Sequence, residues 1–275
     1  MKNPLDTGGY TDLVCERRKA FGEKDSFKRM SAAVGVWERA HISEQNSEKN
    51  TIRTAGHYHS LHTGRLENTD AAEREEIAEE LASELWSLCE LNSITPKRIL
   101  AVGLGNERLA PDTLGLLAAK KIEATLHWAD EAPELLAALG CSEISVIRPG
   151  VKAESGIDCS QSVSALCKLL SPNLVIVIDA LCTVSEERLG TTFQLSDSGI
   201  RPGSGVGNPH GELSKETLGV SVITVGVPTV IDAGLISERI RGERLLVTPR
   251  YINPIVDVGA GIIADAINRA FGIVR

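Results

Sequence analysis

Two stretches of sequence, residues 98–106 (Arg-Ile-Leu-Ala-Val-Gly-Leu-Gly-Asn) and residues 173–179 (Asn-Leu-Val-Ile-Val-Ile-Asp), decide the fold class. Each contains a short aliphatic run of the kind that forms a buried parallel strand. Asp179 ends the second run, and Asp112 follows the first run after a short turn. Because the carboxyl ends of parallel strands meet at one edge of a sheet, we expect the two carboxylates to share a cleft.

Similar apolar runs continue the pattern along the chain. Strands are predicted over residues 98–104, 143–148, 173–179, 192–196 and 221–227. Helices are predicted over residues 113–127, 158–170, 229–240 and 253–271. This alternation predicts an α/β fold with a largely parallel sheet and helices on both faces.

The chain changes character near residue 95. Residues 1–69 are polar and hold little periodic apolar sequence, whereas apolar residues recur at helical spacing from Asp70 to Leu91. Asp70 and Glu73 have the spacing of a capping box, which predicts the start of this helix. We therefore divide the chain into an N-terminal extension with an accessory region, residues 1–95, and an α/β core, residues 96–275.

Composition excludes several classes of protein. The 275 residues carry a net charge of −8, and no basic stripe is present, which argues against direct binding of nucleic acid. The six cysteines form no C-x-x-C pair, as expected for reduced thiols in a cytoplasmic compartment. No apolar run approaches the roughly 18 residues of a membrane span, and the first residues lack the apolar region of a signal peptide. We expect a soluble protein with no membrane partner.

The glycines after the first strand predict a turn. Gly103, Gly105 and Asn106 match a dinucleotide-binding fingerprint poorly, since Arg108 stands where its third glycine would be. A strand-end turn that aims Asp112 at the start of a helix fits the sequence better. No cofactor is expected.

A second glycine-rich segment, residues 196–208, follows the strand predicted at 192–196. It could be a flexible connector, but its proline and aliphatic residues favour a loop whose backbone amides approach a bound chain. The residues predicted to bind substrate are Asp197, Ser198, Gly199, Gly203, Ser204, Gly205, Gly207 and Asn208.

A cysteine nucleophile and a metal site are less well supported by the sequence. Cys182 would be a nucleophile only with a histidine close by, and His210 is more typical of a surface residue than of a catalytic base. His57, His59 and His62 have a spacing that a metal could use, yet such spacing in a polar region more often belongs to an exposed strand or turn. We expect no metal.

The ordered motifs resemble those of the germination protease family, the spore endopeptidases that degrade small acid-soluble spore proteins. The motifs are Gly-Leu-Gly-Asn at 103–106, Pro-Asp-x-Leu-Gly at 111–115, Val-Ile-Asp-Ala-Leu at 177–181, the segment 194–208, Glu-Thr-Leu-Gly at 216–219 and Gly-Val-Pro-Thr-Val-Ile-Asp-Ala at 226–233. The resemblance implies a hydrogenase-maturation-protease-like α/β peptidase core and a homotetramer in the cytoplasm of the forespore or spore core. It implies small acid-soluble spore proteins as substrates, and Asp112 and Asp179 as the catalytic residues.

The N-terminal segment also resembles the family. Tyr10-Thr-Asp-Leu-x-x-Glu16 is similar to the region where the family's inactive precursor is processed, which implies self-cleavage between Asp12 and Leu13. Ala110 and Leu116 depart from the family pattern, and an insertion before the last helix is shortened or missing. Two alternatives stay open, namely a metal-dependent endopeptidase of the hydrogenase-maturation type and a non-catalytic relative that only binds peptides.

Overall fold

A computed structural model describes most of the chain. The described residues are 10–20, 25–44, 55–203, 211–233 and 245–273. Nine strands form one sheet with the order β1-β2-β3-β7-β8-β6-β4-β5, and β9 pairs with the end of β8. The strands are β1 (Ser26–Ala32), β2 (Gly35–Ile42), β3 (Gly56–His62), β4 (Arg98–Gly103), β5 (Glu143–Ile147), β6 (Leu174–Thr183), β7 (Thr192–Ser196), β8 (Ser221–Asp232) and β9 (Leu246–Val247).

The fold is α/β, as predicted. Its sheet is mixed, with parallel and antiparallel strands, rather than largely parallel. β5, β4, β6 and β8 pair in parallel, and β7, β3, β2 and β1 continue from β8 as antiparallel strands. Three of these antiparallel strands come from residues 26–62, where little periodic apolar sequence is present. The N-terminal region therefore extends the same sheet that the core begins.

Five α-helices of seven residues or more lie among the described residues. They are α1 (Ala71–Leu91), α2 (Leu114–Lys121), α3 (Pro133–Leu139), α4 (Cys159–Leu170) and α5 (Ile252–Phe271). The predicted capping box of α1 is confirmed, since Asp70 accepts from the Glu73 N–H and Glu73 accepts from the Asp70 N–H. The helix expected over 113–127 stops at Lys121, where the next residue turns to extended backbone.

The prediction of a helix over 229–240 is wrong at its start. β8 continues through Asp232, and residues 234–244 lie outside the described residues. Thr229, Val230 and Ile231 are β-branched and suit a strand. Pro228 lies within β8 without ending it. The pairing with β6 shifts by one residue beside it, since Leu181 pairs with Pro228 and Cys182 with Val230, which makes Thr229 the extra residue of a bulge in β8. Bulges are among the places where a strand tolerates a proline.

Apolar residues fill both faces of the sheet. On one face α1, α2 and α5 cover the larger core, which includes Leu85, Ile178 and Ile263. On the other face α4 packs over Val175 and Val177. A 3-10 helix, Val14–Ala20, lies on this second face over the antiparallel strands, where Val14 packs with Ala40 and Tyr58. No helix among the described residues is long and apolar enough to cross a membrane.

Candidate active site

Two glycines let α2 approach the sheet beside Asp179. A Cβ on Gly103 would lie 2.2 Å from the carbonyl oxygen of Gly115, and a Cβ on Gly115 would lie 2.2 Å from that of Ile178. The Leu104 N–H also donates to the Ile178 carbonyl at 2.9 Å. The end of β4 and the start of α2 are therefore held against the residue that precedes Asp179.

The turn between β4 and α2 fixes Asp112. Gly105 has a φ of +130°, and a Cβ there would lie 1.9 Å from the Asp112 carbonyl oxygen. The Asn106 N–H donates to this carbonyl at 3.1 Å, and the Asp112 N–H donates to Leu109 at 2.8 Å. Gly103 thus ends β4, and Gly105 and Asn106 lie in the turn predicted from the sequence.

Asp112 and Asp179 line one cavity of about 820 Å³. Asp179 does not end its strand, because β6 continues to Thr183. It is 7% exposed, and its Oδ1 accepts from the Ala180 N–H at 2.9 Å. Asn106, Lys152 and Arg201 are among the other residues that line the cavity.

Burial changes the acidity of both carboxyl groups. It raises the pKa of Asp112 to about 6, although the Asn106 N–H works in the opposite direction. Burial is also the largest cause that raises the pKa of Asp179 well above its ordinary value, and the charges of Asp112 and Asp12 add to it. Two carboxyl groups in one cavity with different proton affinities can act as an acid and a base.

The N-terminal segment lies in the same cavity. Asp12 is 8% exposed and lines the cavity together with Asp112 and Asp179. Leu13 is fully buried. The Asp12 N–H donates to the Cys182 carbonyl at 2.8 Å, and the Cys182 N–H donates to Asp12 Oδ2 at 2.8 Å. The predicted processing site is thus docked on β6 rather than in a mobile terminus.

The glycine-rich loop is described only in part. Ser204, Gly205, Gly207, Asn208 and also His210 lie outside the described residues. Gly203 lines the cavity, together with Ile200, Arg201 and Pro202.

The start of the loop is tied to its surroundings. Asp197 accepts from the His57 N–H at 2.6 Å and from Asn92 Nδ2 at 2.8 Å. The hydroxyl oxygens of Ser198 and Ser196 lie 2.6 Å apart, and a Cβ on Gly199 would lie 2.5 Å from the Leu213 carbonyl oxygen. These contacts anchor the loop beside the cavity.

The three histidines of β3 do not converge on one point. His57 pairs with Asp197, His59 with Glu84 and His62 with Glu38, and alternation along the strand puts His62 on the opposite face from the other two. Cys15, Glu38 and His62 cluster closely enough to hold a metal ion. The Arg188 guanidinium already supplies positive charge there, since it donates to Cys15 Sγ at 2.9 Å and to Glu38 Oε2 at 3.0 Å.

The cysteine alternative finds no support in the surroundings of Cys182. Burial, with the charges of Asp12 and Glu16, raises the pKa of this thiol to about 12. Its Sγ donates to the Tyr10 carbonyl at 3.5 Å, and no histidine of the described part of the chain lines the cavity. A thiol of this acidity is a poor nucleophile at neutral pH.

Gln194 is a site residue that the sequence analysis did not single out. It is 5% exposed on β7, and its side-chain amide bonds to the backbone of the docked segment at two points. A glutamine in a strand carries no sequence signal for such a role. Only the hydrogen bonds to residues about 180 positions earlier reveal it.

Comparison with known proteins agrees with these features. A family model described as germination protease matches residues 29–241. Germination proteases of Bacillus cereus (strain AH187) and Bacillus thuringiensis subsp. konkukian (strain 97-27) are each 37% identical over 246 residues, which is 85% of this chain. The chain spans 66% of the length of these curated relatives.

Among solved structures, the NiFe hydrogenase maturation protease HycI of Thermococcus kodakarensis KOD1 is 21% identical. The match covers 63% of this chain and 94% of that protein, with a TM-score of 0.35. The family model, which spans most of the chain, and the identity to the Bacillus proteins give the assignment: the chain belongs to the germination protease family.

Proposed function

We propose that the protein is an endopeptidase in which Asp112 and Asp179 hydrolyse a peptide bond with water. The observation that carries the proposal is the placement of two aspartates with raised pKa values in one cavity that Asp12 of the N-terminal segment also lines. At neutral pH Asp112, with a pKa of about 6, is ionised and takes a proton from water. Asp179 keeps its proton and gives it to the leaving amine.

Family membership supports the substrate and setting that we propose. The substrates are small acid-soluble spore proteins, cleaved during germination in the cytoplasm of the spore core, and the active form is a homotetramer. Residues 1–95 include a propeptide-like segment that is removed by self-cleavage between Asp12 and Leu13, and residues 96–275 form the peptidase core. Light scattering of the purified protein tests the tetramer.

The docked segment supports the precursor proposal. Asp12 lines the cavity, and the next residue, Leu13, is buried against Leu181, so the segment would block the approach of another chain to Asp179. The hydrogen bonds between Asp12 and Cys182 hold the segment in place. In this state Asp12 of the N-terminal segment forms part of the cavity wall.

Incubation with a small acid-soluble spore protein, followed by mass spectrometry of the fragments, tests the peptidase proposal. We expect Asp112→Asn and Asp179→Asn each to reduce cleavage by at least about 100-fold, because the amide keeps the shape but loses the proton chemistry. Asp130→Asn changes an exposed aspartate away from the cavity and is the matched control. Cleavage that persists in both site variants would overturn the proposal. If the wild type cleaves neither the spore protein nor its own N-terminal segment, the non-catalytic alternative is favoured.

The hydrogenase-maturation alternative requires a metal ligand set that includes a histidine. The described residues that line the cavity supply aspartates without a histidine. Cleavage that a chelator leaves unchanged would separate the carboxylate site from a metal-dependent one.

A further inference from the structure

Three neighbouring strands place Gln194, Gly226 and Asp179 in one row. Gln194 pairs with Gly226 across β7 and β8, and Gly226 pairs with Asp179 across β8 and β6. Paired residues point to the same face of a sheet, and two strand spacings separate the outer residues by about 10 Å. Gly226 has no side chain, so the row has a polar side chain at each end and none in the middle.

The N-terminal segment crosses this row. Gln194 Nε2 donates to the carbonyl oxygen of Asp12 at 2.8 Å, and Gln194 Oε1 accepts from the Val14 N–H at 2.9 Å. A carbonyl can only accept and a backbone N–H can only donate, so both halves of the side-chain amide are matched. This buried side chain binds the backbone on both sides of Leu13.

β6 binds Asp12, the residue to which this carbonyl belongs. The last pairing of β6 with β4 is at Ile178, and beyond it the Cys182 N–H and carbonyl bond to Asp12. Leu13 packs against Leu181 in a small apolar cluster with Ile200 at its edge. An acidic residue followed by an apolar one is therefore held by a main-chain donor, an apolar contact and the Gln194 amide.

We propose that Gln194 is the residue that binds the carbonyl oxygen of the peptide bond to be cleaved, and that the Cys182 N–H recognises the acidic side chain before that bond. The inference rests on the proposed self-cleavage between Asp12 and Leu13. The carbonyl that Gln194 touches is the one that this cleavage would attack. Gln194 is thus a catalytic residue, and the Cys182 main chain sets specificity.

The reaction step follows from these contacts. Water loses a proton to Asp112 as its oxygen bonds to the carbonyl carbon of Asp12, and the carbonyl electron pair moves onto the oxygen beside Gln194 Nε2. The Gln194 N–H stabilises this negative charge. The electron pair then returns, the bond to the Leu13 nitrogen breaks, and Asp179 gives its proton to that nitrogen. One amide donor of this kind contributes about 100- to 1,000-fold to a rate.

Self-cleavage of the full chain tests the inference, with the new N-terminus at Leu13 measured by mass spectrometry over time. We expect Gln194→Met to slow the appearance of this terminus by at least about 100-fold, because methionine keeps the length but cannot donate. Gln161→Met, on α4, makes the same change at a helix cap and should process at the wild-type rate. Equal rates in the wild type and in a folded Gln194→Met would overturn the assignment.

Gln194→Glu separates a catalytic role from a structural one. A glutamate donates only when protonated, so we expect its processing rate, relative to that of the wild type, to rise as the pH falls. A constant ratio across pH would contradict the proposal. This comparison also decides the matter if Gln194→Met does not fold.

Failure of the proposed function has a different signature. If the wild type and Asp112→Asn both keep an intact N-terminus under every condition, self-cleavage itself is wrong and the assignment of Gln194 falls with it. If the wild type is processed and Asp112→Asn is not, the proposed function stands, and the Gln194 variants alone decide the inference.

Discussion

At the scale of single residues, Asp112 and Asp179 are placed where their charged forms are unfavourable. Burial raises the pKa of each carboxyl group, and no cation of the described residues offsets this rise. The ionised forms of these two groups therefore destabilise the fold, and both groups bind protons at a higher pH than an ordinary aspartate does. Sites with this property are often functional.

The sign of this effect on stability can be measured. Asp112 has a folded pKa of about 6 against an ordinary value of 3.8, so between these values the folded state binds more protons than the unfolded state. Stability then falls as the pH rises through this window. We expect Asp112→Asn to raise the Tm at pH 7 by roughly 2–4 °C and to leave it unchanged below pH 3.8.

Thermal unfolding of the wild type, Asp112→Asn and Asp179→Asn from pH 3.5 to 8 checks this prediction. For Asp179→Asn the difference should have the same sign, since burial raises the pKa of Asp179 as well. Asp130→Asn should track the wild type throughout. A lower Tm of the site variants at pH 7 would show that the carboxylates are stabilising.

At the scale of elements, the contact between α2 and the sheet positions the candidate site. A Cβ on Gly115 would lie 2.2 Å from the Ile178 carbonyl and 2.5 Å from the Leu104 carbonyl, and both are backbone atoms that cannot turn aside. We expect Gly115→Ala to move α2 away from β6 and to destabilise the protein by about 2–3 kcal/mol, with loss of peptidase activity. Gly64→Ala adds a methyl group where nothing lies within 4 Å and should change neither property. Chemical denaturation and the cleavage assay measure both effects.

Elements that depend on local signals could be predicted from the sequence. The capping box at Asp70 and the aliphatic run of β6 are found where they were expected, because each is specified by neighbouring residues. β2 and β3 were missed because their buried positions include Glu38 and His59, whose polar side chains pair with residues elsewhere in the chain. A pattern of apolar residues does not reveal a strand that buries ion pairs.

The candidate site follows the same division. The shared cavity of Asp112 and Asp179 could be predicted, since strand order sends both to one edge of the sheet. Their catalytic roles stay a prediction. The contact of Gln194 with Asp12 could not be predicted, because it depends on the path of the N-terminal segment over the sheet.

At the scale of the whole molecule, one cation ties the N-terminal segment to the sheet. Arg188 lies among Cys15, Glu16, Glu38 and His62. Burial would raise the pKa of Glu38, but His62 and Arg188 outweigh it and lower the pKa to about 2. The stability that Glu38 contributes is therefore present above about pH 4.5 and is lost as the pH falls towards 2.

Removal of this cation should loosen the segment. We expect Arg188→Met to cost about 3–5 kcal/mol and to lower the Tm by roughly 10 °C, because it removes the cation that the buried carboxylates of Glu16 and Glu38 share. Hydrogen exchange at residues 12–17 should become faster than in the wild type. Arg65→Met removes an exposed arginine paired with Glu67 and should shift the Tm by less than about 1 °C. Unchanged exchange in a folded Arg188→Met would show that the segment is held without the cation.

The docking of Asp12 beside Asp179 makes the N-terminal segment a competitor of any other chain that binds the cavity. Because the N-terminal segment is covalently joined to the protein whose cavity it lines, its effective concentration at that cavity is in the millimolar range. A separate polypeptide that binds the cavity with micromolar affinity would be displaced by it almost completely. If the proposed self-cleavage breaks the bond after Asp12, the released piece is diluted to the concentration of the protein itself, and this advantage is lost. Under this proposal the covalent tether sets how strongly the segment competes, and cleavage opens the cavity to other chains.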